Sequence, residues 1–206
     1  MQITELDIPG AFRMTPHHIR DARGSFYEGL RVEALTAELG RAFTPQQINY
    51  SVSRRNTLRG IHSVTSPPGQ AKIVTSVRGV LRDILVDLRI GSPAYGRHVS
   101  HVLDAEDGVS VFVPEGVGHG FLTLTDDACI CYVLSTAHVP GTQVDINPLD
   151  AELGLPWGFT QPPLMSDKDA SAQTAAEALR AGLLTPWQEP PRTGHVPRRP
   201  RTSDTT

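Results

Sequence analysis

The segment from Leu58 to Lys72, LRGIHSVTSPPGQAK, places side chains suited to acid–base chemistry on both sides of a Pro-Pro-Gly turn. Proline and glycine preset the chain to reverse, so we expect the two arms to lie side by side, with His62 close to Lys72. A neighbouring ammonium group favours the neutral imidazole, which can accept a proton near neutral pH. Taken alone, the segment also fits a structural histidine in a strand beside a solvated lysine.

Several further ionisable side chains could share one interior with His62 and Lys72: Asp83, His119, Tyr132, Asp167 and Asp169. Together these groups could move a proton next to a carbonyl. A neutral histidine would remove the proton, a carboxylate would orient the resulting imidazolium, and a cation would hold the enolate oxygen. A phenol on the opposite side would return a proton to the other face of the carbon. Such a set inverts a stereocentre without a cofactor.

A metal centre is the competing interpretation of the same histidines. His62, His119 and an acidic residue could form a facial triad around Zn²⁺ or Fe²⁺. Small metal-binding barrels usually carry two histidines separated by one residue, with a glutamate shortly after them. Here Val64 occupies the second position, and the next glutamate is Glu106. An ammonium at Lys72 would also repel a dication, so we expect no metal.

Composition and charge limit the class of protein. The 206 residues suit one domain, and a formal charge of −3 with a pI near 6.2 indicates no nucleic-acid or membrane partner. No apolar run approaches the ~20 residues of a membrane span, and no basic-then-apolar leader opens the chain, so we expect a cytoplasmic protein. Cys129 and Cys131 share one strand face, where a disulfide would be strained, and are expected to be buried free thiols.

The spacing of strand and turn signals predicts the fold class. Short β-prone segments recur about every 8–12 residues between glycine and proline turns, which favours a β-sandwich or barrel over βαβ units. Helices are expected at Val32–Leu39, closed by Gly40, and at 171–182. The chain from 70 to 90 resembles two strands that break at Arg78-Gly79, and we predict a hairpin there.

Two local patterns and the C-terminal end of the chain lead to further predictions. In the strand from Gln47 to Ser53, polar side chains share one face. This face is either exposed to water or part of the wall of a polar cavity. Asp83 shares a strand face with leucines and needs a partner if that face is buried. Residues 188–206 form a Pro/Arg-rich tail with almost no core formers, so we expect it to be disordered and to follow a domain spanning 1–187.

Seven blocks follow one another along residues 1–187: QINYS from Gln47, LRGIH from Leu58, PPGQAK from Pro67, DILVDLR from Asp83, GSP from Gly91, PEGVGHGF from Pro114 and SDKD from Ser166. As an ordered set they closely resemble the dTDP-4-dehydrorhamnose 3,5-epimerase family of deoxysugar biosynthesis. The resemblance implies a mainly all-β fold, a cupin-like jelly-roll β-sandwich with a few short helices. It also implies a homodimer, no metal or other cofactor, and a dTDP-linked 4-keto-6-deoxyhexose as substrate.

Carried over position by position, the family pattern implies roles for individual residues. His62 resembles the catalytic base, oriented by Asp169, and Tyr132 resembles the acid on the opposite face. Lys72 matches the lysine that stabilises the enolate at the 4-keto oxygen. The positions that hold pyrophosphate, sugar and thymidine match Arg23, Glu28, Gln47, Asn49, Arg59, His119 and Lys168.

Three positions depart from the family pattern. Ser63 follows the base where an aromatic residue is usual, His138 replaces a second tyrosine near the substrate, and Gln143 replaces a glutamate. An imidazole at 138 changes the space and the hydrogen bonds available to the sugar. We therefore predict one epimerisation rather than two, at C3 in preference to C5, in an antibiotic-type pathway. Two alternatives stay open: a nucleotide-sugar-binding module without turnover, and a 3,4-ketoisomerase.

Overall fold

Strands dominate the computed structural model, which describes residues 1–189. In chain order the strands are β1 (Gln2–Glu5), β2 (Phe12–Thr15), β3 (Ile19–Asp21), β4 (Gly24–Phe26), β5 (Gln47–Ser53), β6 (Leu58–Val64), β7 (Lys72–Arg78), β8 (Val80–Asp87), β9 (His98–Asp104), β10 (Ser110–Val113), β11 (Val117–Thr123), β12 (Ala128–Leu134) and β13 (Gln143–Asp145). The helices of this described part are short: α1 (Val32–Leu39), α2 (Asp167–Ala170) and α3 (Ala175–Arg180).

The strands divide into two facing antiparallel sheets. One has six strands in the order β1-β2-β10-β7-β12-β5, and the other has five in the order β13-β6-β11-β8-β9. Strands β3 and β4 form a separate two-stranded hairpin. The chain passes repeatedly from one sheet to the other, as it does in a jelly roll. The prediction of a mainly all-β, jelly-roll β-sandwich with a few short helices is therefore confirmed.

Alternating side chains supply the apolar layers that hold the sheets in place. Between the sheets lies a buried cluster that includes Val74, Leu85, Val111 and Ile130, contributed by both walls. A second cluster on the outer face of the five-stranded sheet packs against Trp157 and α3. Helix α1 covers part of the outer face of the six-stranded sheet with a third cluster. Burial of these faces removes apolar surface from water and fixes the separation of the two walls.

The predicted hairpin at Arg78-Gly79 is wrong. Gly79, with φ 74°, does reverse the chain, but β7 pairs with β10 and β12 whereas β8 pairs with β9 and β11. The turn therefore carries the chain from one sheet to the other. For the same reason His62 on β6 and Lys72 on β7 do not lie side by side, because their strands belong to different sheets. The alternation of polar and apolar residues is the same whether two consecutive strands pair in one sheet or lie in facing sheets, so it could not distinguish the two arrangements.

Helix α1 agrees with the sequence prediction. It spans Val32–Leu39, and Gly40 ends it in the left-handed conformation at φ 65°, with its N–H bonded to the Thr36 carbonyl. Leu35 and Leu39 are its buried residues. Within residues 1–189, no helix is both long enough and apolar enough to cross a bilayer.

The helix predicted over 171–182 is wrong at its start. Helix α3 begins at Ala175 because Thr174 caps it: the Thr174 hydroxyl accepts from the Glu177 N–H, and the Glu177 carboxylate accepts from the Thr174 N–H. The sequence analysis also missed α2, a single turn that begins after Ser166. Alanine-rich composition indicated helix correctly, but the capping residues decide where it starts.

Two further predictions concern the thiols and the C-terminal end. Cys129 and Cys131 are free and buried, as predicted. The tail expected at 188–206 lies, from residue 190 onward, outside the described residues. A domain boundary at residue 187 stays a prediction.

Candidate active site

A cavity of about 310 Å³ lies between the two sheets. Seven of the residues predicted to be catalytic or to bind substrate line it: Asn49, Arg59, His62, Lys72, His119, Tyr132 and His138. Ser51 also lines it, so Asn49 and Ser51 of the polar face of β5 border the cavity. The turn between β6 and β7 and the chain at 136–143 form its edge.

The imidazole of His62 is anchored by a carboxylate from outside the sheets. Nε2 of His62 lies 2.7 Å from Oδ1 of Asp169, whose side chain is only 6% exposed. Asp169 belongs to α2, where its N–H donates to the Oγ of Ser166 at 3.1 Å and so fixes the helix turn. Burial raises the pKa of Asp169, but hydrogen bonds from His62 and from the Gly60 N–H outweigh it and lower the pKa overall. The anionic carboxylate therefore orients the imidazole and stabilises its protonated form.

Tyr132 enters the cavity from the opposite wall. It lies on β12, in register with Asn49 of β5 and Val74 of β7, whereas His62 lies on β6 of the other sheet. Its ring meets the ring of His119 edge to face at 6.0 Å between centroids. Burial, with a contribution from Asp83, raises the pKa of Tyr132 above its usual value. The side chain is therefore a phenol at neutral pH and can donate a proton.

Lys72 supplies a buried cation at the start of β7. It is 7% exposed, and burial lowers its pKa to about 8, an effect that the carboxylate of Asp83 partly offsets. The ammonium group is thus protonated at neutral pH but poorly solvated. Such a group stabilises negative charge on a ligand oxygen more strongly than a solvated lysine would.

Asp83 has the partner that its position among leucines required. Its Oδ1 lies 2.6 Å from Nε2 of His119, and both side chains are almost fully buried. Burial is the main cause that lowers the pKa of His119, Lys72 adds to the lowering, and Asp83 opposes it. The sequence analysis expected the ammonium of Lys72 to favour the neutral form of His62. In the structure, the histidine whose pKa Lys72 lowers is His119.

The predicted ligand contacts at the mouth of the cavity form a connected group. Gln47 donates from Nε2 to Oδ1 of Asn49 at 2.8 Å and accepts at Oε1 from the backbone N–H of His138 at 2.9 Å. Arg59 donates from Nε to the Oγ of Ser53 at 3.1 Å and is otherwise exposed. Exposed guanidinium and amide groups beside a cavity are suited to a diphosphate and a nucleoside.

Asp145 is a residue that the sequence analysis missed. It lies opposite His62 in the β13–β6 pair, and its Oδ1 is 3.6 Å from His62 Nε2. Its other oxygen is 2.9 Å from Nζ of Lys168, and Gln143 donates to its Oδ1 at 2.6 Å. In the sequence, Asp145 is only a polar residue between Val144 and Ile146, which is weak evidence for a functional role. The register of β13 with β6 is what brings it to the imidazole of His62.

The carboxylates around His62 are also possible ligands of a metal ion. Ligand atoms of His62, Asp145 and Asp169 lie within 4.8 Å of one another, a spacing that a divalent ion could bridge. However, the ammonium of Lys168 already compensates Asp145, and His62 and His119 pair with different carboxylates. The triad of His62 and His119 is therefore not supported, and metal-free chemistry stays a prediction.

Arg23 and Glu28 are not part of this cavity. Arg23 pairs with Asp21 at 2.6 Å in the β3–β4 hairpin, and its side chain is 90% exposed. Glu28 pairs with Arg31 at 2.8 Å. Neither residue lines the cavity of its own chain.

The jelly roll and the acid–base groups on both walls of its cavity define a cupin-like isomerase. The family model described as dTDP-4-dehydrorhamnose 3,5-epimerase matches residues 5–177. The chain belongs to this family of epimerases.

Individual relatives agree with this assignment. A dTDP-4-dehydrorhamnose 3-epimerase from Streptomyces niveus is 44% identical over 184 residues, which are 89% of this chain and 88% of that protein. NovW, a 4-keto-6-deoxy sugar epimerase from the novobiocin gene cluster of Streptomyces spheroides, is 42% identical with a TM-score of 0.88, over 91% of this chain and 94% of its own. ChmJ, a 3'-monoepimerase from Streptomyces bikiniensis solved with dTDP-quinovose, is 43% identical with a TM-score of 0.85, over 89% and 93%.

Proposed function

We propose that this protein epimerises a dTDP-4-keto-6-deoxyhexose at C3, without a cofactor, in an antibiotic-type deoxysugar pathway. The observation that carries the proposal is the position of His62 and Tyr132 on opposing walls of one cavity. Inversion of a carbon next to a ketone needs a base on one side of the ring and an acid on the other. Relatives with related activities, named above, support the choice of substrate.

The groups in the cavity account for each step. His62 takes the proton from C3, and the electrons of the C–H bond form the C3–C4 double bond of an enolate. Asp169 stabilises the imidazolium, and the ammonium of Lys72 stabilises the negative charge on O4. Tyr132 then donates its proton to the opposite face of C3, which restores the ketone with inverted configuration. Exchange with solvent returns His62 and Tyr132 to their starting protonation states.

The nucleotide end of the substrate is assigned to the mouth of the cavity. Arg59 is suited to the diphosphate because a guanidinium binds phosphate oxygens in pairs. Gln47, Asn49 and His138 offer amide and imidazole groups to the sugar and the base, and Lys168 lies nearby on α2. The net charge of −3 makes such local cations necessary.

The single epimerisation rests on the three departures from the family pattern. Ser63 and Gln143 line the cavity together with His138, so all three bear directly on the space around the sugar. Gln143 is held by Asp145 rather than directed freely at a ligand. Relatives named as a 3-epimerase and a 3'-monoepimerase are 43–44% identical to this chain.

We also propose that the enzyme works as a homodimer. The outer face of the six-stranded sheet exposes Ile48, Tyr50, Val52 and Val77, each about half exposed or more. Ile19 and Phe26 form a second exposed apolar pair on the β3–β4 hairpin. Contiguous exposed apolar side chains are characteristic of protein interfaces.

A dimer would also explain the position of Arg23 and Glu28. Both match substrate-binding positions of the family, yet both lie outside the cavity of their own chain. The β3–β4 hairpin that carries Arg23 does not pair with either of the two sheets. We assign these residues to the cavity of the second subunit. The cytoplasmic location stays a prediction.

Incubation with dTDP-4-keto-6-deoxyglucose in D₂O tests the function. We expect deuterium at C3 alone and a C3-inverted product, both lost in His62→Ala while dTDP still binds. Deuterium at C5 as well would overturn the single-site proposal. Binding without any exchange would identify a nucleotide-sugar-binding module, and movement of the keto group to C3 would identify a 3,4-ketoisomerase.

A further inference from the structure

Two buried polar atoms without partners belong to residues that are paired across strands β8 and β9. Among residues 1–189, only four buried side-chain nitrogen or oxygen atoms lack a hydrogen-bond partner, and two of them are Asp83 Oδ2 and His101 Nε2. Asp83 of β8 and His101 of β9 are directly opposite in the strand register. Opposite residues of an antiparallel pair point to the same face, with Cβ atoms about 5 Å apart. A buried polar atom left unpaired destabilises the fold, so each atom is the natural partner of the other.

We propose that His101 is a positioning residue that donates from Nε2 to Asp83 Oδ2, directly or through one water molecule, and thereby holds His119 in the cavity wall. Asp83 already accepts from His119 through its other oxygen at 2.6 Å. The three side chains lie on adjacent strands, β9, β8 and β11, and form a line from the sheet edge to the cavity. The inference rests on the proposed function in so far as His119 binds the sugar.

The charges around His101 are consistent with a neutral donor. Burial is the main cause that lowers its pKa, while Asp83 opposes the lowering. Arg13 of β2, which faces it from the other sheet, and His119 of β11 both add to the lowering. Further along the same group of charges, Lys72 of β7 lowers the pKa of His119, and Asp83 partly offsets the lowering of the pKa of Lys72. A neutral imidazole has one N–H, and the residue opposite His101 in the strand register, Asp83, offers the unpaired acceptor Oδ2.

The arrangement has a consequence for what His119 can bind. Because Asp83 accepts from Nε2 of His119, a neutral His119 carries its proton there, and its Nδ1 is an acceptor. An acceptor recognises a donor, so the sugar group held by His119 is a hydroxyl rather than the keto oxygen. His101 fixes this selectivity by keeping Asp83 from rotating away from His119.

Paired substitutions at His101 in the full chain test the role. His101→Gln keeps an N–H at a similar distance from the backbone, whereas His101→Met keeps the length and removes the donor. We expect kcat/KM for C3 exchange to fall about tenfold in His101→Met and to stay within about threefold in His101→Gln. His98→Met, an exposed change on the opposite face of β9, is the control and should have no effect. Equal rates in all variants, or equal losses in Gln and Met, would overturn the role.

A second measurement does not depend on turnover. In ¹⁵N NMR of the imidazoles, we expect His119 to show one tautomer with the proton on Nε2 in the parent chain and in His101→Gln. In His101→Met the tautomers should mix, even where thermal unfolding shows an intact fold. An unchanged His119 signal in His101→Met would overturn the inference, whereas absence of exchange in the parent chain would reject only the proposed function.

Discussion

The imidazole of His62 has two carboxylates near one nitrogen, at unequal distances. Asp169 lies at 2.7 Å and Asp145 at 3.6 Å from Nε2, and Asp145 is also compensated by Lys168. In the proposed mechanism the closer carboxylate orients the base, so Asp169→Asn should lower kcat about 100-fold or more. Asp145→Asn is the matched control and should lower kcat by less than about tenfold. Steady-state rates of C3 exchange check this, and the reverse order would show that Asp145 is the orienting group.

In the proposed order of proton transfers, Tyr132 acts after the base. Removal of its hydroxyl should therefore affect inversion but not the first proton transfer. In Tyr132→Phe, His62 can still remove the C3 proton and return it to the same face. We therefore expect deuterium to enter C3 at a substantial rate while inversion falls about 100-fold or more. NMR of recovered substrate and product measures both quantities in one sample. Loss of exchange in proportion to inversion would mean that Tyr132 is not the acid.

In the proposed mechanism, Lys72 should set an alkaline limit on the reaction. Its pKa is lowered to about 8, so the ammonium that we assign to the enolate is present below that pH and is lost as the pH rises through it. We expect kcat to decline above about pH 8. Lys72→Arg keeps the charge, and its remaining activity should show no decline in that range. A rate–pH profile with the same alkaline decline in both proteins would assign the limit to another group.

Among the secondary-structure elements, the close approach of β6 and β11 determines the position of His62, the proposed base. A Cβ on Gly60 would lie 2.6 Å from the Gly120 Cα and 2.7 Å from the His119 carbonyl oxygen, and Gly60 has φ 113°. Only glycine allows the two backbones to approach so closely. The strand that carries His62 is therefore held against the strand that carries His119.

Substitution of this glycine should separate the two strands. We expect Gly60→Ala to lower the free energy of unfolding by about 3 kcal/mol and to reduce exchange, because backbone atoms cannot give way. Gly141→Ala, also at positive φ but with open space around its Cβ, should cost only about 1 kcal/mol. Denaturant unfolding of both variants checks the difference. Equal losses would show that backbone conformation alone, and not the strand contact, matters at Gly60.

Helix α2 shows how a short element completes the site. It is a single turn, yet Ser166 caps it and so fixes the carboxylate of Asp169 behind His62. The SDKD block marked this segment as important, but its helical form was not evident from the sequence. A four-residue helix has too little periodicity to be predicted, and its shape depends on contact with β6.

At the scale of the whole molecule, a shared active site predicts complementation between inactive subunits. Arg23→Ala and His62→Ala should each be inactive or nearly so as homodimers. In a heterodimer, the cavity of the Arg23→Ala subunit keeps its own His62 and receives Arg23 from its partner. Co-expression of the two variants should therefore restore about a quarter of the parental activity. Activity no higher than that of the separate variants would place Arg23 outside the partner's cavity.

The fold class and most of the reactive groups were predictable from the order of the residues. Alternating short strands with glycine and proline turns indicated a β-sandwich, and ordered blocks that contain His62, Lys72 and Asp169 indicated an epimerase. These features are local in the chain: periodicity, turn residues and residue types at fixed spacing. Gly40 as a helix end and Asp83 in need of a partner were predictable for the same reason.

Strand pairing and the contacts between distant side chains became evident only from the three-dimensional fold. His62 and Lys72 come together across two sheets, not along one hairpin, and Asp145 reaches His62 through the register of β13. His101 and Asp83 are likewise neighbours through strand pairing. Strand pairing joins residues far apart in sequence, and the alternation of side chains is the same for every possible partner. For that physical reason, the pattern of residues could identify the reactive groups but not their arrangement.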